Sequence, residues 1–218
     1  MNDQHRRLSI QTDKALVSFS DLSGFKKIML ERAKAEKALG CLYQTAYNHF
    51  NQEITGIAIS DCVISWIDAE NDFQRKLVCI SDLAKIIHRK MIDEGFLMQT
   101  SIAYGEFYFE ERKQRFNLQK NKIMGKAYLD AWFNNEKIPK GSIVFFAKDV
   151  PKPHSPLWIG SLSGKVQSWE YFWSVNNPSE IEAIKNSRKE IQKRFSTKKK
   201  NLEDEMFSDY INLYARNS

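Results

Sequence analysis

The stretch Ser18-Phe19-Ser20-Asp21-Leu22-Ser23-Gly24-Phe25 constrains this chain more than any other. An apolar run, Ala15-Leu16-Val17, leads into a carboxylate, then a glycine, then apolar residues at helical spacing. Asp21 is therefore predicted at a strand end facing a helix N-terminus. Such a junction suits a metal and a phosphate together, because the carboxylate binds the cation while free amides and the helix dipole attract the anion. An ordinary strand-to-helix turn with a surface Asp has the same local pattern, so the rest of the chain must decide between them.

Residues 1–13 are polar and read as a loose N-terminus, and Lys14 to Asp21 as the first strand. Ile28, Met29, Leu39, Leu42, Tyr43, Ala46 and Phe50 recur at helical spacing and predict one long helix from Phe25, broken near Gly40. Ile54 to Ile59 and Cys62 to Ile67 flank Ser60-Asp61, the pattern of a tight hairpin with a polar tip. Leu77, Val78, Ile80, Leu83, Ile86, Ile87 and Met91 form a second amphipathic helix stopped by Gly95, expected on the same sheet face, with His88 on its surface. Phe96 to Tyr104 and Glu106 to Glu111 read as two strands pivoting on Gly105, followed by a charged loop from Arg112 to Lys122. A helix after Gly125 and a strand from Ile143 to Ala147 complete the pattern. This order predicts an α+β fold: a ferredoxin-like, antiparallel-rich sheet covered on one face by helices.

Residues 14–175 form the expected domain. Its last part, Pro151 to Val175, carries Trp158, Trp169, Tyr171, Phe172 and Trp173, which suit packing or an oligomer contact in closing strands. Asn177-Pro178-Ser179-Glu180 is a helix start, with an Asn cap and Pro in the first turn. Residues 176–218 are expected as a long C-terminal helical extension with a basic block around Arg188 to Lys200.

A chain of 218 residues with 42% hydrophobic content can bury a full core, which excludes a disordered protein. Three cysteines without paired spacing, and no signal or membrane-spanning run, point to a cytoplasmic protein. The net charge of +6 is concentrated toward the C-terminus, so nucleic acid is not a required partner. No phosphate-binding G-x-x-x-x-G-K-[ST] loop is present, and His5, His49, His88 and His154 lack zinc-site spacing.

The chemistry enters when Asp21 and Asp61 are paired. If the first strand lies beside the hairpin, both carboxylates stand at neighbouring strand ends, close enough to share divalent cations and a nucleotide. With that pairing, the chain resembles the class III nucleotidyl cyclase catalytic domain. The family's F-x-D-x-x-G-F segment is matched at every fixed position by Phe19 to Phe25, and Ser60-Asp61-Cys62 stands where the family has Gly-Asp. Ile102-Ala103-Tyr104-Gly105-Glu106 and the helix from Gly125, with Ala131 at the family's alanine position, extend the match over Lys14 to Ala147. The resemblance implies that Asp21, Asp61 and the Leu22 carbonyl hold two Mg²⁺ or Mn²⁺ ions. It also implies that the amides of Leu22, Ser23, Gly24 and Phe25 face the triphosphate, and that two subunits form a homodimer with active sites at the interface.

The departures from the family point to the base. Where adenylyl cyclases carry a Lys and an Asp for adenine, this chain has Ile57 and Lys122. A buried polar contact to adenine goes unmade, which disfavours that base. The family's transition-state Asn and Arg are replaced by Leu129 and Phe133, leaving Arg112, Lys113, Arg115 and Lys122 as candidates to meet the charge on the transferred phosphate. A stand-alone cyclase with both metal positions and a non-purine pocket is similar to the pyrimidine cyclases of bacterial antiphage (Pycsar) systems. That resemblance implies CTP or UTP as substrate, cyclic CMP or cyclic UMP as product, and a separate effector activated by it. A purine cyclase with a diverged pocket, or a degenerate domain that binds nucleotide or RNA without catalysis, are the alternatives.

Overall fold

The elements follow one another in the order β1 (Ser9–Leu22), α1 (Phe25–Ile28), α2 (Arg32–His49), β2 (Thr55–Ile59), β3 (Cys62–Asp68), α3 (Phe73–Asp93), β4 (Met98–Arg115) and β5 (Leu118–Met124). Then come α4 (Lys126–Asn135), β6 (Ile143–Ala147), β7 (Trp158–Ser163), β8 (Val166–Tyr171), α5 (Ile181–Ser196) and α6 (Glu203–Ala215). The computed structural model describes residues 9–115, 118–147, 150, 152–163, 166–196 and 203–215, with backbone alone for 112–115, 118–120, 161–163, 166, 196 and 203. One eight-stranded sheet has the order β2-β3-β1-β4-β6-β8-β7, with β5 paired to the distal part of β4. Among the described residues β4 and β6 run parallel and the other pairs antiparallel, which makes the fold α+β as expected.

β1 lies between β3 and β4 and is buried on both sides. Ala15, Leu16 and Val17 are all fully buried, and successive residues enter different cores. Leu16 and Leu22 join Leu42 of α2 and Leu77 and Ile80 of α3, whereas Ala15, Val17 and Phe19 join Trp66, Phe107 and Ala127 and Ala131 of α4. α2 and α3 share a face, as their spacing predicted, but α4 covers the other. The expectation of helices on a single face is thereby corrected. A strand with consecutive buried residues needs cover on both sides, since each buried Leu or Val side chain stabilises the fold by about 1.5–3 kcal/mol only if water is excluded from it.

Several local expectations also change. The first helix is interrupted at residues 29–31 rather than near Gly40, which lies inside α2 with open space around it. The two strands expected around Gly105 are one strand, because β1 absorbs the irregularity as a register shift between Thr12 and Ala15 and pairing then resumes. The charged loop is instead a β4–β5 hairpin, in which Lys122 pairs with Glu110. His88 is buried rather than on a helix surface: its Nε2 lies 2.9 Å from Thr100 Oγ1, and burial pushes its pKa down to about 3, so it is neutral.

The aromatic segment packs into the interior, with Trp158, Trp169, Tyr171, Phe172 and Trp173 all buried. Asn177 caps a short 3-10 turn, accepting from the Ser179 amide at 3.0 Å, and α5 follows. The long C-terminal helix is instead two helices side by side. Arg194 Nη1 of α5 lies 2.8 Å from Asp209 Oδ2 of α6, and fifteen residues of continuous helix would separate those positions by about 22 Å. Tyr210 and Tyr214 of α6 enter the same core as α3 and the sheet. Arg188 of α5 makes a bidentate, largely buried ion pair with Glu170 of β8. No helix among the described residues is long and apolar enough to cross a membrane.

Candidate active site

Asp21 stands near the end of β1, directly across from Cys62 on β3 and from Gln99 on β4. Side chains opposite one another share a face, so Asp21 leaves the sheet on the α4 side, where Gln99 Nε2 donates to the Asn135 carbonyl at the end of α4 (2.9 Å). Asp61 lies in the two-residue turn of the β2–β3 hairpin, beside Ser60 with its φ of +53°. Two bonds hold that tip in place. The Tyr43 hydroxyl of α2 donates to the Ser60 carbonyl, and the Leu22 amide donates to the Asp61 carbonyl at 3.0 Å. The second bond ties the hairpin tip to the end of β1, so the two carboxylates converge.

Their electrostatics record that convergence. Burial first, and the Asp61 charge second, push Asp21 from the ordinary 3.8 to about 7, with Lys140 pulling it down and Glu136 pushing it up. The Cys62 thiol is driven to about 12 by burial and then by Asp21 and Asp61, so it stays protonated beside them. Two converging carboxylates that repel one another fit a divalent cation, a hard ion that accepts one or two carboxylates and completes its shell with backbone oxygen, water and substrate phosphate. Among the described residues no third His, Cys, Asp or Glu completes a protein-only metal cluster.

The phosphate-facing amides are fewer than expected. Those of Leu22 and Ser23 are engaged with the carbonyls of Asp61 (3.0 Å) and Leu97 (2.8 Å), which leaves Gly24 and Phe25. α1 is a single turn rather than the start of a long helix, so its dipole is weak. Gly24 has a φ of +77°, and a Cβ there would fall 2.7 Å from the Phe207 ring of α6, so both the backbone and the C-terminal helix demand glycine.

Of the two base-pocket residues, Ile57 lies on the Asp61 hairpin, two positions from the pair that faces Asp21, whereas Lys122 lies far along β4 from the carboxylates. Ile57 lies on β2 and packs on the α4-side core, while Lys122 on β5 sits 5.4 Å over the Tyr108 ring. Arg112, Lys113 and Arg115 belong to the opposite end of β4 from Gln99, and their side chains lie outside the described residues. Leu129 and Phe133 stand exposed on α4 (43% and 56%), with Trp132 stacked between Tyr128 and Phe133. Gln99, Glu136 and Lys140 were missed by sequence reasoning. No motif links position 21 to position 99 or 140; only the β1–β4 register and the α4–β6 loop do.

No family model matches the chain, and no curated protein sequence does either. Solved structures do match. The dimeric guanylyl cyclase domain of the RhoGC fusion protein of Blastocladiella emersonii superposes with a TM-score of 0.58 at 13% identity, covering 75% of this chain and 98% of that one. The adenylyl cyclase CyaB of P. aeruginosa gives 0.54 at 15% identity, covering 75% and 95%. The guanylyl cyclase Cya2 gives 0.56 at 12%, covering 74% and 92%. With an antiparallel-rich sheet that carries two converging carboxylates at the ends of β1 and the β2–β3 hairpin, this chain has the fold of a nucleotidyl cyclase catalytic domain.

Proposed function

We propose that this protein is a nucleotidyl cyclase. It would direct the ribose 3′-hydroxyl of a nucleoside triphosphate onto the α-phosphorus, breaking the bond to the β-phosphate and yielding pyrophosphate and a 3′,5′-cyclic monophosphate. The observation that carries this reading is the Asp21–Asp61 pair, tied together by the Leu22–Asp61 backbone bond, in a fold shared with adenylyl and guanylyl cyclases. Asp21 and Asp61, with the Leu22 carbonyl, would hold two Mg²⁺ or Mn²⁺ ions, which when bound lower the pKa of the attacking hydroxyl and neutralise the triphosphate. The amides of Gly24 and Phe25 would receive its outer phosphates, and positioning would supply much of the acceleration.

The substrate we assign is a pyrimidine nucleotide, CTP or UTP. Ile57 has no side-chain hydrogen-bonding group and Lys122 has donors alone, so this pair offers nothing matched to adenine's combination of donor and acceptor. Lys122 pairs with Glu110, eleven residues along β4 from Gln99, and so lies far from Asp21 in its own chain, which favours a homodimer whose second copy brings that part of the base wall. The exposed apolar face of α4 (Leu129, Trp132, Phe133) supports that assembly. The three unpaired cysteines favour the cytoplasm, and on the resemblance to Pycsar cyclases alone we assign the enzyme's product as a messenger to a separate effector in antiphage defence. The second reading is a purine cyclase, favoured by the guanylyl and adenylyl cyclases among the structural matches.

The deciding experiment incubates the protein with Mn²⁺ and each of ATP, GTP, CTP and UTP separately, beside Asp61→Ala. Cyclic CMP or cyclic UMP from wild type and none from the variant is the expected result. Turnover of ATP or GTP alone removes the pyrimidine assignment, and no cyclic product from any nucleotide removes the enzyme.

A further inference from the structure

A triphosphate brings four negative charges to a site that already holds two carboxylates, and cations carried by metals alone leave the outer phosphates without a protein counter-charge. The β4–β5 arginines stand at the wrong end of their strand to supply one in their own chain. The α4–β6 loop supplies another cation. Lys140 Nζ donates to Gln99 Oε1 at 2.7 Å, and Gln99 is the residue directly across from Asp21, so the ammonium stands on the carboxylates' side of the sheet.

Both partners are built in. Gln99 is 3% exposed, and its Nε2 donates to the Asn135 carbonyl at 2.9 Å, which turns Oε1 toward Lys140. The Ser23 hydroxyl, in the turn before α1, donates to the same oxygen at 3.4 Å. The lysine backbone is clamped as well. Gly141 N donates to the Met98 carbonyl (3.0 Å), Tyr214 Oη to the Lys140 carbonyl (3.1 Å) and Trp173 Nε1 to the Gly141 carbonyl (2.8 Å). A neutral amide orients the ammonium without cancelling its charge, whereas a carboxylate at position 99 would cancel it. Lys140 is also the cation that acts on the Asp21 carboxyl among the described residues.

We infer that Lys140, oriented by the buried Gln99, binds the outer phosphates of the nucleotide beside Asp21 and Asp61. The inference rests on the cyclase reading for the identity of its ligand. Its site is separate from Arg112, Lys113, Arg115 and Lys122, and it belongs to the chain that carries the two carboxylates. Gln99 is a positioning residue that acts through Lys140.

The test is calorimetric titration of the full-length protein with inorganic tripolyphosphate in the presence of Mn²⁺, a probe that binds without turnover. Lys140→Met is expected to weaken binding about ten- to a hundredfold, the scale of a charged hydrogen bond. Lys140→Arg should retain most of the affinity, Gln99→Leu should lose part of it, and Lys137→Met, on the exposed side of the same loop, should lose none. Lys140→Gln gives the same readout if the methionine variant does not fold. Wild-type affinity in Lys140→Met or Lys140→Gln overturns the inference, as does wild-type protein that does not bind the probe. Lys140-dependent binding without cyclic product from any nucleotide overturns the cyclase reading and leaves this assignment standing.

Discussion

Replacing Asp21 by Asn should stabilise the metal-free protein at alkaline pH, and the structure sets the size of the effect. In the fold Asp21 titrates near 7 rather than at 3.8, for reasons led by burial and then by the Asp61 charge. An acid with a raised folded-state pKa binds its proton more tightly folded than unfolded. Stability is therefore lost as pH rises from about 4 to about 7, and the loss is complete above that. About three pH units at 1.36 kcal/mol each set a ceiling of about 4 kcal/mol, which rehydration and screening of a partly accessible carboxylate reduce to about 2 kcal/mol. Asn has the shape of the protonated acid and no charge to lose. In EDTA at pH 8, Asp21→Asn should melt about 4–8 °C above wild type, and at pH 4.5 the two should nearly coincide. Saturating Mn²⁺ should reverse the order. It would add about 2.7 kcal/mol to wild type at a hundred times Kd and little to a variant lacking one of two carboxylates. Thermal unfolding followed by circular dichroism at both pH values, with Mn²⁺ and with EDTA, measures all four corners. A variant no more stable than wild type at pH 8 in EDTA would refute the argument that Asp21 and Asp61 meet as buried, repelling charges.

Two further outcomes follow from packing. Gly141→Ala should cost about 2–4 kcal/mol and lower the melting temperature by several degrees, because Gly141 has a φ of +80° and a Cβ would fall 1.9 Å from the Tyr214 ring; an unchanged melting curve would show that α6 does not clamp the Lys140 loop. Trp132→Glu should weaken self-association about thirtyfold or more in sedimentation velocity, the scale of an interfacial tryptophan worth 2 kcal/mol; a wild-type protein that is monomeric at micromolar concentration would remove the α4 face as a dimer contact.

Short-range patterning carried the sequence reading a long way. Ala15-Leu16-Val17 marks the first strand, the apolar stripe of α3 ends at Gly95 as its spacing predicts, and Ser60-Asp61 between two apolar runs places Asp61 at a hairpin tip. These features depend on neighbours within a few residues, which periodicity reports directly. The break after α1 was misplaced because residues 29–31 continue a helical pattern, and the hairpin of β4 and β5 was missed because its charged residues look like a solvated loop.

The approach of Asp21 to Asp61 was legible only as a conditional, since it depends on β1 pairing with β3. The rest of the candidate site rests on contacts between residues far apart in the chain. Sequence alone determined that a carboxylate and a glycine end the first strand and that a second carboxylate caps a hairpin. Tertiary structure decided that Leu22 and Ser23 have no amide left to offer, that Phe207 of α6 closes over Gly24, and that Gln99 holds Lys140 beside Asp21. The reason is physical: hydrophobic period sets which face a residue takes, but strand register and loop clamping set which charges face each other, and neither is written in local spacing.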